Sequence, residues 1–427
     1  MSRPDERNGF IADCRRRVTM NFWSKLSMSR KIVVMMCVGI AAGVYWGPAV
    51  TVIKPVGDLF LRLLKMLIVP LVFFTLVAGV TSMESPGSLK KIGGFIVAFY
   101  LLSSLVFAAV GTGVALALRP GRGAEGVLGS VVKEVTVGKY SAIDTILNWI
   151  PENPVASMAN MNMIQVIFFA LITGVALLHL KDRVPAAIAF FRNMADVMIK
   201  ITEFVMVFAP YGIGALVACV AGTIGGKMMT AIAKFFVADY AAVLAGMFVV
   251  YPLALKIWNV PALRFFKHVA PAMLVAATTT SSAATLPMEM NIAEEKLGLD
   301  ESVYGFSLPL GNTMNMNGMA AAFGVIAVFA FDIFGVEITP LRLVQTILLG
   351  LMLAVGAAGV KGAGIVMSAV FFESLGLPLG LVPILAAIWP VIDIPHTTGN
   401  VTGDMVGTMA ACAKFGKVDW NVFNADA

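Results

Sequence analysis

Residues 277–287, Ala-Thr-Thr-Thr-Ser-Ser-Ala-Ala-Thr-Leu-Pro, break an otherwise apolar stretch at its centre. A cluster of Ser and Thr closed by Pro makes poor helix and poor strand. A second break, Val-Gly-Ala-Ala-Gly-Val-Lys-Gly-Ala-Gly-Ile at 355–365, divides the apolar run Leu343–Phe372 in the same way. Each is followed by a long, mostly apolar run, Val303–Phe331 after the first and Ser374–Ala411 after the second. Hydrocarbon offers the backbone no hydrogen-bond partner, so a non-helical break survives there only when it is buried in protein or lines a cavity. Two half-length helices meeting at a bent tip, a re-entrant hairpin, satisfy that condition. Two such breaks in corresponding places point to a transporter's substrate site near the mid-plane. The alternative is a pair of ordinary spans with kinks.

The rest of the chain agrees with a membrane setting. Of 427 residues 59% are hydrophobic and 13% charged, against roughly 45–50% and 25% in soluble domains. A soluble globule could not cover so much apolar surface. The net charge of +6 comes with a basic cluster at the amino end (Arg15, Arg16, Arg17, Lys25, Arg30, Lys31). That is the positive-inside signature of cytoplasmic termini and not a nucleic-acid footprint. No small-residue cleavage site follows the cluster, so Ile32–Ile53 is expected to be the first span, with Met1 or Met20 as the start. The four cysteines (Cys14, Cys37, Cys219, Cys412) are scattered without metal-ligand spacing. Further uncharged windows are Met66–Met83, Ile92–Leu118, Pro154–His179, Phe204–Gly226 and Tyr240–Leu255, with a polar connection over Arg119–Asn153.

The chemistry concentrates in Asp-Ile-Pro-His-Thr-Thr-Gly-Asn-Val-Thr-Gly-Asp, residues 393–404. At the helical 100° per residue, Asp393, His396, Thr397, Asn400 and Asp404 fall within about 60° of one direction. Each carboxylate in the membrane costs about 2.5–3.5 kcal/mol on insertion scales, so two on one stripe mark a function. Carboxylate and amide oxygens suit hard cations, and a carboxylate also anchors an ammonium group. Gly311–Ala320 (Gly-Asn-Thr-Met-Asn-Met-Asn-Gly-Met-Ala) adds three Asn and a Thr to an apolar span, a second source of oxygen ligands. Both segments also fit plain interhelical hydrogen bonding.

These motifs, with Leu64–Val80, Asn162–Gly174, Ser281–Met290, Leu308–Ala320, Ala358–Gly364 and Asn400–Asp404 in this order, resemble the dicarboxylate/amino acid:cation symporter family, the glutamate-transporter homologues, over nearly the whole chain. The resemblance implies an all-α polytopic membrane protein with eight transmembrane helices, two re-entrant helical hairpins, inverted repeats and an elevator-type mechanism in a homotrimer. It implies a cytoplasmic tail over 1–31 and six helices over 32–258, mainly trimerisation scaffold, with the third and sixth joining the transport domain. A transport core over 259–413 and a cytoplasmic tail over 414–427 follow. Thr280, Ser281 and Ser282 at the first hairpin tip, and Val360 and Gly364 at the second, would close over substrate with Met319 beside them. Asp393 would hold the ammonium group, with Thr397 and Asn400 orienting the amino-acid backbone and His396 near the side chain. One Na⁺ site would use Gly311, Asn315, Asn400 and Asp404. A second would use Thr313 with the carbonyls near Ala354, Val355 and Ala357, and a third Tyr100, Ser103, Ser104, Asn315 and Asn317.

Departures from the family pattern sharpen the expectation. Asn317 stands where the family has Asp, which removes a charge from the third Na⁺ site and predicts fewer coupled ions. His396 and Thr280 stand where carriers of acidic substrates place an Arg, and Met319 replaces a Thr. A neutral imidazole offers no permanent bidentate clamp. The expected function is therefore Na⁺-coupled symport of a small neutral amino acid across the cell inner membrane, with no organic cofactor, no nucleic-acid partner and no enzymatic activity. The alternative is proton- or sodium-coupled uptake of acidic amino acids or C4-dicarboxylates, with Lys361 and His396 replacing the Arg. Proton coupling through His396 stays open. A channel and a non-transporting receptor are the rival classes.

Overall fold

The computed structural model describes residues 28–82, 90–126, 147, 150–223, 226–357 and 363–425. Among them every regular element is helical, apart from one isolated antiparallel bridge between Leu299 and Val418. The helices are α1 (Met28–Trp46), α2 (Lys54–Ser82), α3 (Lys90–Leu118), α4 (Pro154–Ala159), α5 (Met163–His179), α6 (Pro185–Thr223), α7 (Gly226–Ala245) and α8 (Tyr251–Ile257). They continue with α9 (Ala262–Thr279), α10 (Ser282–Glu295), α11 (Glu301–Met314), α12 (Asn317–Phe334), α13 (Pro340–Gly356), α14 (Ala363–Ser374), α15 (Val382–Lys414) and α16 (Trp420–Ala425). A π turn at Gly246–Val250 joins α7 to α8.

Among the described residues, six helical stretches are long and apolar enough to cross a membrane: Arg30–Thr81, Lys91–Leu118, Pro185–Gly222, Met228–Ile257, Glu301–Phe334 and Leu379–Lys414. The first is 52 residues long, more than twice the roughly 20 that one crossing needs, and its two α-helices are joined by the 3-10 segment Gly47–Ile53, which opens on Gly47 with a positive φ. The helices run beyond the uncharged windows. Met66 lies in mid-α2 and Phe204 in mid-α6, because Arg62, Lys65, Lys200 and Glu203 ride on helical turns of their own. The window Pro154–His179 is corrected to two helices. The Asn153 side chain caps α4 by accepting from the amides of Val155 and Ala156 (3.0 and 3.1 Å), and Met161 adopts a positive φ before α5 begins.

The two breaks read from the sequence separate short helices. Residues of α9 and α10 pack on each other across Thr280, which is left-handed (φ 48°), and Ser281, which is extended. Ser281 caps α10 through Ala284 N–H, 3.3 Å from its hydroxyl oxygen. The second break lies between α13 and α14; Val360 and Lys361 fall outside the described residues.

Packing sorts the helices into two sets. Residues 317–333 of α12 are all buried, as is most of α15. Helices α3, α7 and α13 lie against α12, while α9, α10, α11 and α14 lie against α15. Helices α1, α2, α5 and α6 pack chiefly on one another and meet the other set where α15 touches α6 and α14 touches α2. The α3–α12 crossing is close because residue 111 is Gly; a Cβ there would stand 2.0 Å from the Ala321 carbonyl oxygen. Small residues let helix backbones approach in this way where no water drives association. At the far end of the crossing Arg119 forks onto the buried Asp332, with Nε 3.0 Å from Oδ1.

The carboxyl end is strapped to the loop after α10. Asp419 N–H donates to the Gly298 carbonyl (2.7 Å), Asp300 N–H donates to the Lys417 carbonyl (3.1 Å) and Lys417 Nζ meets Asp300 Oδ2 at 2.8 Å. His268 is buried with Nε2 3.1 Å from the Phe423 carbonyl oxygen. Its polar group finds a backbone partner, which removes the penalty of leaving water.

Two outcomes follow from these contacts. Gly111→Val is expected to destabilise the protein by about 1–3 kcal/mol, the usual result of overpacking. Gly113→Ala should leave the melting temperature unchanged, because a Cβ there meets nothing within 4 Å. Hydrogen bonds from Lys417 and Ser302 hold the Asp300 carboxyl below its ordinary range. A carboxyl lowered in the folded state stabilises it above the unfolded value, about 4, and the gain is lost as pH falls through the lowered value. Amide-exchange protection of residues 417–425, corrected for intrinsic rates, should therefore fall as pH drops below about 4. The drop should shrink in Lys417→Met, which leaves only the hydrogen bonds from Ser302.

Candidate functional site

A break in a buried helix leaves backbone groups that need partners, and the break between α11 and α12 supplies the site's geometry. Asn315 and Met316 leave helical geometry (ψ 61° and 62°). The amide of Gly318, in the first turn of α12, donates to Asn400 Oδ1 at 2.8 Å. The Asn400 side chain thus serves α12 as a cap from another helix, and its Nδ2 faces Met316 sulfur at 3.1 Å. Asn315 Nδ2 donates to Asp404 Oδ1 at 2.8 Å, whereas Asp404 Oδ2 is buried without a partner. Gly311 is what allows Asp404 in: a Cβ there would lie 2.5 Å from Oδ1 and 2.9 Å from the Tyr100 hydroxyl. The first expected ion site (Gly311, Asn315, Asn400, Asp404) is therefore assembled in one place. Its orphaned carboxylate oxygen, beside the open backbone of the break, fits a small hard cation.

The residues of the third expected ion site also converge, and their hydrogen bonds fill it. Ser104 Oγ lies 2.6 Å from Asn317 Oδ1, and Asn317 Nδ2 donates to Ser103 Oγ (3.1 Å) and to the Tyr251 hydroxyl (2.9 Å). Tyr251 in turn donates to the Gly399 carbonyl at 2.7 Å. Ser103 Oγ stands 3.2 Å from Asn315 Oδ1, and the Tyr100 hydroxyl 3.1 Å from the Ser307 carbonyl oxygen. An amide donates where a carboxylate can only accept, so Asn317 closes a hydrogen-bond network among these side chains. Of the second expected site, Ala354, Val355 and Ala357 are buried at the end of α13, while Thr313 is exposed with its hydroxyl bonded to the Leu310 carbonyl (2.8 Å). The Gly356 carbonyl accepts from Thr75 of α2 at 2.9 Å.

Of the expected substrate residues, Asp393, His396 and Thr397 are buried along α15, Ser282 is buried at the start of α10, and Met319 and Gly364 are buried in α12 and α14. Thr280 and Ser281 are half-buried. The unexpected partner is Asp239 of α7. His396 Nε2 sits 2.9 Å from both of its carboxylate oxygens, and both side chains are fully buried. Because the carboxylate accepts only, Nε2 carries the proton; Nδ1 is left without a partner. Trp389 lies edge-on to this ring with centroids 5.7 Å apart. The missed signal was available: Asp239 is the one charge between Lys234 and Lys256, and an ionisable residue inside a span is a functional candidate by default.

Pro395 has no N–H, which releases the carbonyl four residues earlier. The sequence leaves open whether that carbonyl turns to ligand or to a neighbour. Tyr240 of α7 takes it, donating to Val391 O at 2.8 Å.

A profile described as the Sodium:dicarboxylate symporter family matches residues 28–413. The chain is 31% identical over 389 residues to the "Proton/glutamate-aspartate symporter" of Bacillus subtilis (strain 168), covering 88% of this chain and 92% of the relative. It is 26% identical over 395 residues to the "Proton/sodium-glutamate symport protein" of Bacillus caldotenax (90% and 94%). With the "C4-dicarboxylate transport protein" of Pseudomonas fluorescens (strain Pf0-1) it shares 27% over 408 residues (94% and 91%).

The Asp239–His396 pair is tested by a double-mutant cycle. Asp239→Asn alone should cost about 3–5 kcal/mol, the usual result of breaking a buried ionic contact. Asp239→Asn/His396→Gln together should cost clearly less than the two singles added. Tyr240→Phe, which orphans one carbonyl, should cost about 1–3 kcal/mol. Thermal unfolding in detergent reads all four.

Proposed function

The chain belongs to the sodium:dicarboxylate symporter family, and from that premise we propose that it carries a small neutral amino acid across the membrane together with Na⁺. It is a cation-coupled symporter and not an enzyme. The observation that carries the ion half of the proposal is the orphaned, fully buried Asp404 Oδ2 beside a broken helix. Coupling arises because ion and substrate each favour the same closed arrangement of the helical pairs, so each raises the affinity for the other. Asp393 anchors the ammonium group, and Thr397 and the tips at Ser281–Ser282 and Gly364 enclose the amino-acid backbone. Asn400, whose amide oxygen caps α12, acts on substrate through the position of that helix. The closed network around Asn317 supports fewer coupled ions than three.

The substrate half rests on His396. Its proton faces Asp239, so any charge it gains is neutralised within the pair and is not presented to a substrate carboxylate. A second reading is favoured by the relatives, whose names specify glutamate, aspartate and C4-dicarboxylates and stand closer to an anionic substrate than to a neutral one. Under it Lys361 supplies the positive charge at the second tip. The wider architecture belongs to the same proposal: eight crossings with two re-entrant pairs, a homotrimer built on α1, α2, α5 and α6, and elevator movement of the α12/α15 set in the inner membrane with both termini cytoplasmic. The sorting of helices into two packing sets supports it.

Competition for uptake into proteoliposomes tests the substrate. Serine and alanine should outcompete aspartate and succinate by roughly tenfold or more, about 1.4 kcal/mol in relative affinity; the reverse order establishes the anionic reading. The Hill coefficient for Na⁺ should stay below three, and Asp393→Ala should abolish accumulation.

A further inference from the structure

Glu289 belongs to none of the ion sites that the family resemblance implies. It lies in the middle of α10, two turns beyond the Ser281–Ser282 tip, fully buried, and neither carboxylate oxygen has a hydrogen-bond partner. A carboxylate in such surroundings is strongly unfavourable without a counter-charge. Helix α10 packs against α11 and α15, which brings the Glu289 carboxylate within electrostatic range of the Asp404 carboxylate and of the Tyr100 hydroxyl. Asp404 contributes its own unpartnered oxygen, Oδ2. Three orphaned carboxylate oxygens from two packed helices are therefore buried in the protein interior.

Two bare carboxylates repel there, and a single cation between them reverses the sign of the interaction. An all-oxygen donor set is the chemistry of a hard alkali cation and not of a soft metal. The charge count gives an independent argument. Residue 317, in the network next to Asp404, is an amide whose oxygen and nitrogen are both taken up by Ser103, Ser104 and Tyr251, so it brings no charge to an ion. Glu289 supplies a second negative charge from a different helix.

We propose that Glu289 and Asp404 together bind one Na⁺ ion between α10 and α15, so that the first helical pair supplies the second charge of the site. The inference rests on the Na⁺-coupled reading above and adds to it a residue and a structural consequence. Ion binding ties α10, and with it the Ser281–Ser282 tip, to the helix that carries Asp393.

The test uses the full-length purified protein at near-neutral pH, with choline replacing Na⁺ and the melting temperature followed as Na⁺ is added. Wild type should be stabilised by Na⁺. Glu289→Gln should raise the Na⁺ midpoint by roughly tenfold or more, the scale set by neutralising one partner of a buried charge pair, and lower the Na⁺-to-substrate ratio from reversal potentials by one. Glu289→Asp, which keeps the charge and shortens the reach, should give an intermediate midpoint and serves if the Gln variant does not fold. An unchanged midpoint in Glu289→Gln overturns the assignment. So does a wild-type stabilisation that follows pH at constant Na⁺ and disappears in Glu289→Gln, which would make Glu289 a proton carrier. No Na⁺ effect in the wild type overturns the Na⁺-coupled reading itself, separately from the role of Glu289.

Discussion

A helix interrupted in an apolar interior must have its loose ends bonded by something, and here the partners come from α15. Asn400 caps the first turn of α12, and Asp404 holds the side chain of the residue that breaks α11. Those contacts fix the relative placement of three helix segments. They also leave one carboxylate oxygen of Asp404 over, so the residues that hold the break are the ones the proposal assigns to the ion. Tyr251, set in place just after a π turn, extends the arrangement by joining Asn317 to the Gly399 carbonyl. Departures from α-helical geometry of this kind recur at functional sites because they redirect side chains and free backbone groups.

The ionisable groups divide into those that are matched and those that are not. Arg119 meets Asp332 at the end of the α3–α12 crossing, Lys417 meets Asp300 at the surface, and His396 meets Asp239 in the interior. Each removes its own charge from play. Asp404 is half-matched and Glu289 is unmatched. In a low-dielectric interior such imbalance is expensive unless something positive arrives. Charge mismatch therefore separates the residues that hold the helices together from those that the proposal assigns to ion binding.

Much of this was legible in the sequence because it depends on local pattern. The breaks at 277–287 and 355–365 separate short helices, and the polar stripe from Asp393 to Asp404 lies along one helix, as periodicity required. What was not legible depends on distant partners. Nothing in the run around Pro395 says that Tyr240 satisfies the carbonyl it frees, and nothing around His396 says that Asp239 stands opposite. Asp239 and Glu289 could have been flagged as lone charges in apolar surroundings, but their neighbours could not. The uncharged windows are shorter than the helices because in α2 and α6 charged residues sit on regular turns. The burial of His268 was not legible either, since its partner, the Phe423 carbonyl, is more than a hundred residues away.

The strap that joins the last helix to the loop following α10 makes the carboxyl end part of the machinery. Three backbone and side-chain links, together with the buried imidazole of His268, fasten residues 417–423 to the base of the first helical pair. Any displacement of that pair would carry the end of the chain along with it. A fluorophore or fused domain placed after residue 425 would report such a displacement and equally act as a brake upon it.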